Sequence, residues 1–261
     1  MPNSKFYFCS VNIISAALSS IWKVWYYTTI LIAILMLFPL LVITSANPAW
    51  YKSFFYLSRV WAWTVLLLSG FIPKTTWLQK PDRDGIYIIC ANHTSMIDIM
   101  MTLALFPNCF LFIGKKELAK FPLFGYFYKK TNLLVDRKSM RSRKTVFDRA
   151  AVKIDEGYGL CIFPEGGVPD TDVVLAPFKT GAFRLAVNKQ ITIIPVSFLD
   201  NKKHLPFDFT KGGPGVLRAV VHPFIEPKGA EEHEVEILME KCREAILSGL
   251  GSVSQNLELS K

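Results

Sequence analysis

His93 and Asp98 stand five positions apart in "ANHTSMIDIM", directly behind the apolar run "IYIIC". An imidazole held by a carboxylate is a proton-transfer device: one ring nitrogen is fixed by the acid and the other moves a proton at the reacting group. The residues leave two readings open. Ser95-x-x-Asp98 is also a capping-box pattern, in which Ser95 caps a helix and the Asp98 carboxylate reaches back to its amide. A catalytic pair demands more, because residues five apart on a straight helix point about 140° from each other. His93 must therefore sit in the loop before the helix begins, and a strand, a polar loop and a capped helix permit that.

Three further stretches carry usable groups. Arg137 directly follows the apolar run "NLLVD", where a guanidinium offers a forked donor set to a phosphate. Its neighbours Lys138, Arg141, Arg143, Lys144 and Arg149 read as a solvated helix face. In "CIFPEGG" a strand ends at Phe163, and Pro164, Glu165, Gly166 and Gly167 make a turn whose glycines let backbone amides approach an oxyanion or a phosphate. An ordinary strand exit has the same residues. Lys179 and Arg184 follow in a helical pattern with Lys179 near its start, so cation and helix terminus together favour an anion.

The elements that must position these groups alternate in type. "IYIIC", "CFLFI", "NLLVD", "GLCIF", "ITIIPVSF" and "LRAVVHPFI" have strand character, and helical patterns run near 95–105, 115–128, 140–156, 179–187 and 231–250. Such alternation predicts an α/β domain with a mostly parallel sheet flanked by helices. "KGGPG" at 211–215 has no P-loop lysine and serine and reads as a turn.

Ahead of this domain, Val24 to Tyr51 holds no charged residue and is long enough for a bilayer span. Lys23 and Lys52 bracket it, and Trp25, Tyr26, Tyr27, Trp50 and Tyr51 form interfacial belts. A shorter apolar stretch, Arg59 to Pro73, is the return arm of a hairpin or a helix lying in the interface. The expected organisation is thus 1–75 as N-terminal hydrophobic membrane helices, 76–250 as the α/β domain and 251–261 as a flexible tail. Basic residues on both flanks of the hairpin place the domain on the cytoplasmic face. Net charge is +9, which points to an anionic partner. Nucleic acid is set aside, since no aromatic interleaving or binding module accompanies the basic run. The cysteines are five in number and widely spaced, which argues against a disulfide framework and against a zinc site.

N-H-x4-D, an arginine at a strand end, F-P-E-G and an apolar "IIPVSF" strand, in this order, resemble the lysophospholipid acyltransferase family, whose best-known members are the 1-acylglycerol-3-phosphate acyltransferases. The resemblance covers about Gly85 to Phe198. It implies that His93 is the general base and Asp98 its support, that Arg137 grips the acceptor phosphate, and that Asn92, Glu165, Gly166 and Gly167 belong to the substrate site. Pro195 matches the proline of the family's fourth block. The implied donor is acyl-CoA or acyl-carrier protein, the acceptor a lysophospholipid in the membrane, and no metal or bound cofactor is needed. One departure stands out: members acting on lysophosphatidic acid continue F-P-E-G-T-R-S, whereas this chain has Gly167, Val168 and Pro169. Lys179 or Arg184 is the available replacement for the missing arginine; the resemblance implies 1-acylglycerol-3-phosphate as acceptor and phosphatidic acid as product, and the departure leaves a glycerolipid with another head group, or an amino-acid lipid, as the alternative acceptor. Water could use the same pair in a hydrolase, but there is no G-x-S-x-G elbow.

Overall fold

Seven strands form one sheet in the computed structural model, which describes residues 4–258 apart from 121–123, 137 and 171. They are β1 (Phe71–Trp77), β2 (Ile88–Ala91), β3 (Phe110–Lys115), β4 (Leu133–Val135), β5 (Gly159–Ile162), β6 (Ile193–Phe198) and β7 (Gly215–Val221). Their order is β1-β7-β6-β2-β5-β3-β4. Only β6 and β7 pair antiparallel; the other five pairings are parallel. The expected α/β architecture is therefore present.

Period-two alternation in the central strand divides the interior into two layers. Ile89 and Ala91 face a core shared with α1 (Ser4–Ala46), α2 (Tyr51–Leu68) and α3 (Ile97–Leu105). Ile88 and Cys90 face the other way, toward α5 (Met140–Asp155), α6 (Gly181–Lys189) and α8 (Glu232–Glu258). Because both faces of β2 are covered, all four of its residues are buried, as a parallel central strand requires. His222, outside the site described below, ties this sheet to α8. Its Nε2 meets Ser197 Oγ at 2.8 Å, and that hydroxyl donates to the Ile246 carbonyl at 2.9 Å. Burial pushes its pKa down to about 4, so a neutral ring donates this bond.

Several elements depart from the sequence reading. β1 was not expected, since Pro73 interrupts its pattern; the strand lies at the sheet edge, where a missing backbone donor is tolerated. It runs through the expected boundary at position 75. The single helix expected over 115–128 is instead a 3₁₀ turn, Lys116–Lys120, and α4 (Phe124–Thr131). α8 continues past its expected end at Leu250 to Glu258.

The N-terminal helices are both apolar and packed into the domain. Within α1, Ile13–Ala46 is long and apolar enough to cross a membrane. The 3₁₀ turn Pro48–Trp50, capped by Asn47, returns the chain into α2. One face of the pair is built into the domain, with Tyr26, Ala33, Phe55, Ala62, Val65 and Leu66 buried. Arg59 on α2 donates to the carbonyls of Leu103 and Ala104 at the end of α3, where a cation meets the negative helix terminus. The opposite face exposes Trp25, Ile32, Leu35, Met36, Leu40 and Ile43. Lys23, read as an interfacial bracket, is instead 1% exposed. Its ammonium donates to the carbonyls of Pro206 and Asp208, which gives the buried charge two backbone acceptors.

Candidate active site

β2 lies between β5 and β6 and parallel to both, so its carboxyl end opens at the edge where parallel sheets gather ligands. The chain leaves β2 through Asn92, His93 and Thr94 before α3 starts at Ile97. His93 is thus outside the helix, and its Nδ1 meets Asp98 Oδ2 at 2.8 Å. The same Oδ2 accepts the backbone amides of Thr94 at 2.6 Å and Ser95 at 2.9 Å. One structure serves both sequence readings here: the carboxylate that closes the turn also fixes the imidazole. Ser95 departs from the simple cap, as its hydroxyl donates to the Leu205 carbonyl at 2.8 Å.

Asp98 is fully buried, and its other oxygen accepts from Asn201 Nδ2 at 2.7 Å. Four donors therefore compensate one desolvated carboxylate. Asn201 was not singled out from the sequence. Its signal is the polar "DN" one residue after β6, a strand that ends beside β2, where Asn201 opens the short helix α7 (Asn201–His204).

The remaining expected site residues divide. Asn92 is fully buried and pairs with the backbone of Phe198, donating from Nδ2 at 3.0 Å and accepting at Oδ1 at 2.7 Å. It extends the β2–β6 pairing by one side chain and so does not reach a substrate. Glu165 also turns inward. Its two oxygens accept the amides of His93 at 2.7 Å and Ala176 at 2.8 Å, and burial holds its carboxyl above the usual range against those two bonds. Expected at the acceptor, it instead ties the loop bearing His93 to the P-E-G turn. Arg137 lies outside the described residues. Gly167 continues the bend after Gly166.

Lys179 is at the turn. Its amide donates to the Pro164 carbonyl at 2.9 Å, and its side chain lies along Gly166. Gly166 has φ +76°, and a Cβ there would come within 2.7 Å of Lys179 Cε and Nζ. Gly166→Ala is accordingly expected to lower stability by about 1–2 kcal/mol through left-handed strain and to push the ammonium aside. Melting temperature reads the first effect. A rise in KM for an anionic substrate, matched by Lys179→Ala without the stability loss, reads the second. Arg184, the other candidate cation, pairs with Glu232.

His93 is 18% exposed and stacks on Phe163 with ring centroids 4.1 Å apart. Its Nε2 has no hydrogen-bond partner among the described residues. The ring lines an apolar cavity of about 180 Å³ whose walls include Ile34, Phe55, Leu103, Phe110 and Phe127. The geometry is thus an imidazole with one nitrogen held by a buried carboxylate and the other unpartnered among the described residues, beside an apolar slot.

A family model described as Acyltransferase matches residues 74–199. The 1-acyl-sn-glycerol-3-phosphate acyltransferase of Haemophilus influenzae is 31% identical over 177 residues, covering 60% of this chain and 72% of that protein. The chain belongs to the acyltransferase family. A Caenorhabditis elegans protein named as a 1-acyl-sn-glycerol-3-phosphate acyltransferase is 28% identical over 88% of this chain and 80% of its own length. The human beta form is 30% identical over 61% of this chain, which spans 58% of it. The crystal structure of the acyltransferase PlsC from Thermotoga maritima superposes with a TM-score of 0.76 over 93% of this chain and 98% of that one, at 20% identity, and so shares the fold. The His93–Asp98 pair and the P-E-G turn fall within residues 74–199 of this acyltransferase, and Asn201 lies just beyond them.

Proposed function

We propose that this acyltransferase moves a fatty acyl group from a thioester, acyl-CoA or acyl-carrier protein, to the free hydroxyl of a lysophospholipid, with 1-acylglycerol-3-phosphate as acceptor and phosphatidic acid as product. The single observation that carries the chemistry is the free Nε2 of a histidine whose Nδ1 is held by a buried carboxylate, beside an apolar cavity. The names of the relatives support the acceptor.

In this scheme Nε2 takes the hydroxyl proton as the oxygen attacks the thioester carbonyl. Asp98 stabilises the resulting imidazolium. The tetrahedral intermediate then expels the thiolate, which takes the proton back from Nε2, and the imidazole is neutral again. The thioester supplies the activation, so the scheme uses no metal or bound cofactor. Lys179, whose side chain lies along Gly166, supplies a cation for the acceptor phosphate in this scheme, in place of the arginine of the family's F-P-E-G-T-R-S sequence.

Both the one-chain acceptor and the two-chain product reside in lipid. The exposed apolar face of α1 supports attachment of the enzyme to that lipid, with the catalytic domain at the cytoplasmic surface. Surface lysines and arginines add about 1 kcal/mol each near anionic headgroups.

The test is an incubation of membranes carrying the wild-type chain with radiolabelled acyl donors and a panel of lysophospholipids, followed by lipid separation. Label in phosphatidic acid is the expected result. Label in another diacyl lipid would replace the acceptor, and label released only as free fatty acid would replace transfer by hydrolysis.

A further inference from the structure

Asp98 takes its fourth donor from Asn201, and the placement of one very short helix aims that donor. Asn201 Nδ2 meets Asp98 Oδ1 at 2.7 Å. The Oδ1 of the same amide is buried without a hydrogen-bond partner among the described residues. No second hydrogen bond orients the side chain, so the four residues of α7 must carry it to the carboxylate. The two flanks of α7 are fixed separately. On the amino side, Asp200 accepts the Arg218 guanidinium of β7 on both of its oxygens at 2.7 Å. On the carboxyl side, the Leu205 carbonyl takes the Ser95 hydroxyl, and the loop that follows is gripped from α1.

That grip is a stripe of residues four apart, which share one helix face. Ser19 Oγ donates to the Gly212 carbonyl at 2.8 Å. Lys23 Nζ donates to the Pro206 carbonyl at 2.6 Å and to that of Asp208. Tyr27 stacks on Phe209 with the ring planes 3° apart. Lys23 is the unusual member. It is buried, yet no carboxylate pairs with it among the described residues, since the Asp208 acid turns to Lys211 at 3.0 Å. Burying a charge without a counter-ion is costly, and an ordinary loop anchor would use a neutral donor. An ammonium on a long arm adds two things: charge-assisted hydrogen bonds, and three donors at one point that hold the carbonyls of two residues together.

We propose that Lys23 is a positioning residue for acyl transfer: its hold on residues 206 and 208 sets α7 so that Asn201 meets Asp98, and through Asp98 fixes the imidazole of His93. The inference rests on the acyl-transfer reading of His93. The mechanical path is short. Leu205 N donates to the Asn201 carbonyl at 2.9 Å and closes the turn, so a shift at Pro206 reaches Asn201 within that turn. The apolar helix α1 is thereby part of the catalytic support, two hydrogen-bonded links behind the carboxylate.

The test compares Lys23→Met, Asn201→Ala and the double variant of the full chain in membranes. Methionine keeps the apolar stem and removes the donors. Misplacing a reacting group by about 1 Å costs about a hundredfold, and Lys23→Met, acting at one remove, is expected to lower kcat about tenfold. KM for donor and for lysophospholipid should stay unchanged, because Lys23 does not line the slot. The double variant should be no slower than Asn201→Ala alone, since both substitutions break one link. Losses that multiply in the double variant overturn the proposal, as does wild-type kcat in Lys23→Met or a loss confined to KM. Lys23→Gln, one bond shorter with its NH₂ kept, takes the same place in the cycle if methionine prevents folding, and a smaller loss is expected of it. NMR of the detergent-solubilised chain with isotope-labelled histidines supplies a readout independent of the reaction. The proton between His93 Nδ1 and Asp98, identified by its disappearance in His93→Ala, is expected to exchange faster in Lys23→Met and in Asn201→Ala alike. That result upholds the positioning even if no lysophospholipid is acylated, in which case the proposed reaction fails instead. An unchanged proton in Lys23→Met overturns the positioning whatever the substrate.

Discussion

Alanine in place of His93 is expected to lower acyl transfer about a thousandfold or more while leaving the fold intact. Proton transfer by a positioned group contributes about 10² to 10⁴ in rate, and here it serves twice, once for the attacking hydroxyl and once for the leaving thiolate. The fold survives because the loop is held by its backbone. The amide of residue 93 still donates to Glu165, and the amides of Thr94 and Ser95 still donate to Asp98. The lost packing is one partly exposed ring against Phe163. Initial rates with radiolabelled donor, read beside thermal melts of both proteins, check this. Activity within tenfold of wild type would remove His93 from the chemistry.

Asp98→Asn is expected to harm both activity and stability, although the two side chains have the same shape. One carboxylate oxygen faces three N–H donors and the other faces the amide group of Asn201. An asparagine must turn its own NH₂ toward one of these sets, which places donor against donor at a fully buried position. Leaving a buried polar group unpaired costs about 1–3 kcal/mol. Loss of the carboxylate behind a catalytic imidazole costs about 10⁴ in turnover where it has been isolated. The paired exchange Asp98→Asn/Asn201→Asp separates the two effects. The asparagine at 98 can then give its NH₂ to the new carboxylate and keep its oxygen for the three donors. Stability should return toward wild type, while turnover stays low because a neutral oxygen supports the imidazolium poorly. If the double variant regains full turnover, the negative charge at 98 is not what the base needs.

The parts of this site legible in the sequence are those written in short range. Strand, loop and helix follow one another within "IYIICANHTSMID", and the spacing of Ser95 and Asp98 announces the turn that puts His93 before α3. Groups that reach the site across the sheet were not legible. Asn201 is 103 positions from Asp98, and only the parallel pairing of β6 with β2 brings it there. Glu165 carries the residue type expected of a binding group, yet nothing local reveals that its carboxylate turns toward two backbone amides. Lys23 misled for a related reason, since a lysine beside an apolar run looks interfacial until a distant loop supplies the carbonyls that bury it. β1 was hidden by Pro73, whose cost disappears only at a sheet edge.

The hairpin of α1 and α2 has one further consequence, for anyone wishing to handle the enzyme in water. Ile34 and Leu41 of α1, with Phe54 and Phe55 of α2, line the slot beside His93, while the reverse of the same hairpin is the exposed apolar face. The exposed apolar face and the lining of the slot are thus one object seen from two sides. Deleting the first fifty residues to obtain a freely soluble fragment would strip a wall from the catalytic cavity, so solubility must come instead from redesigning the outer face with the inner one left untouched.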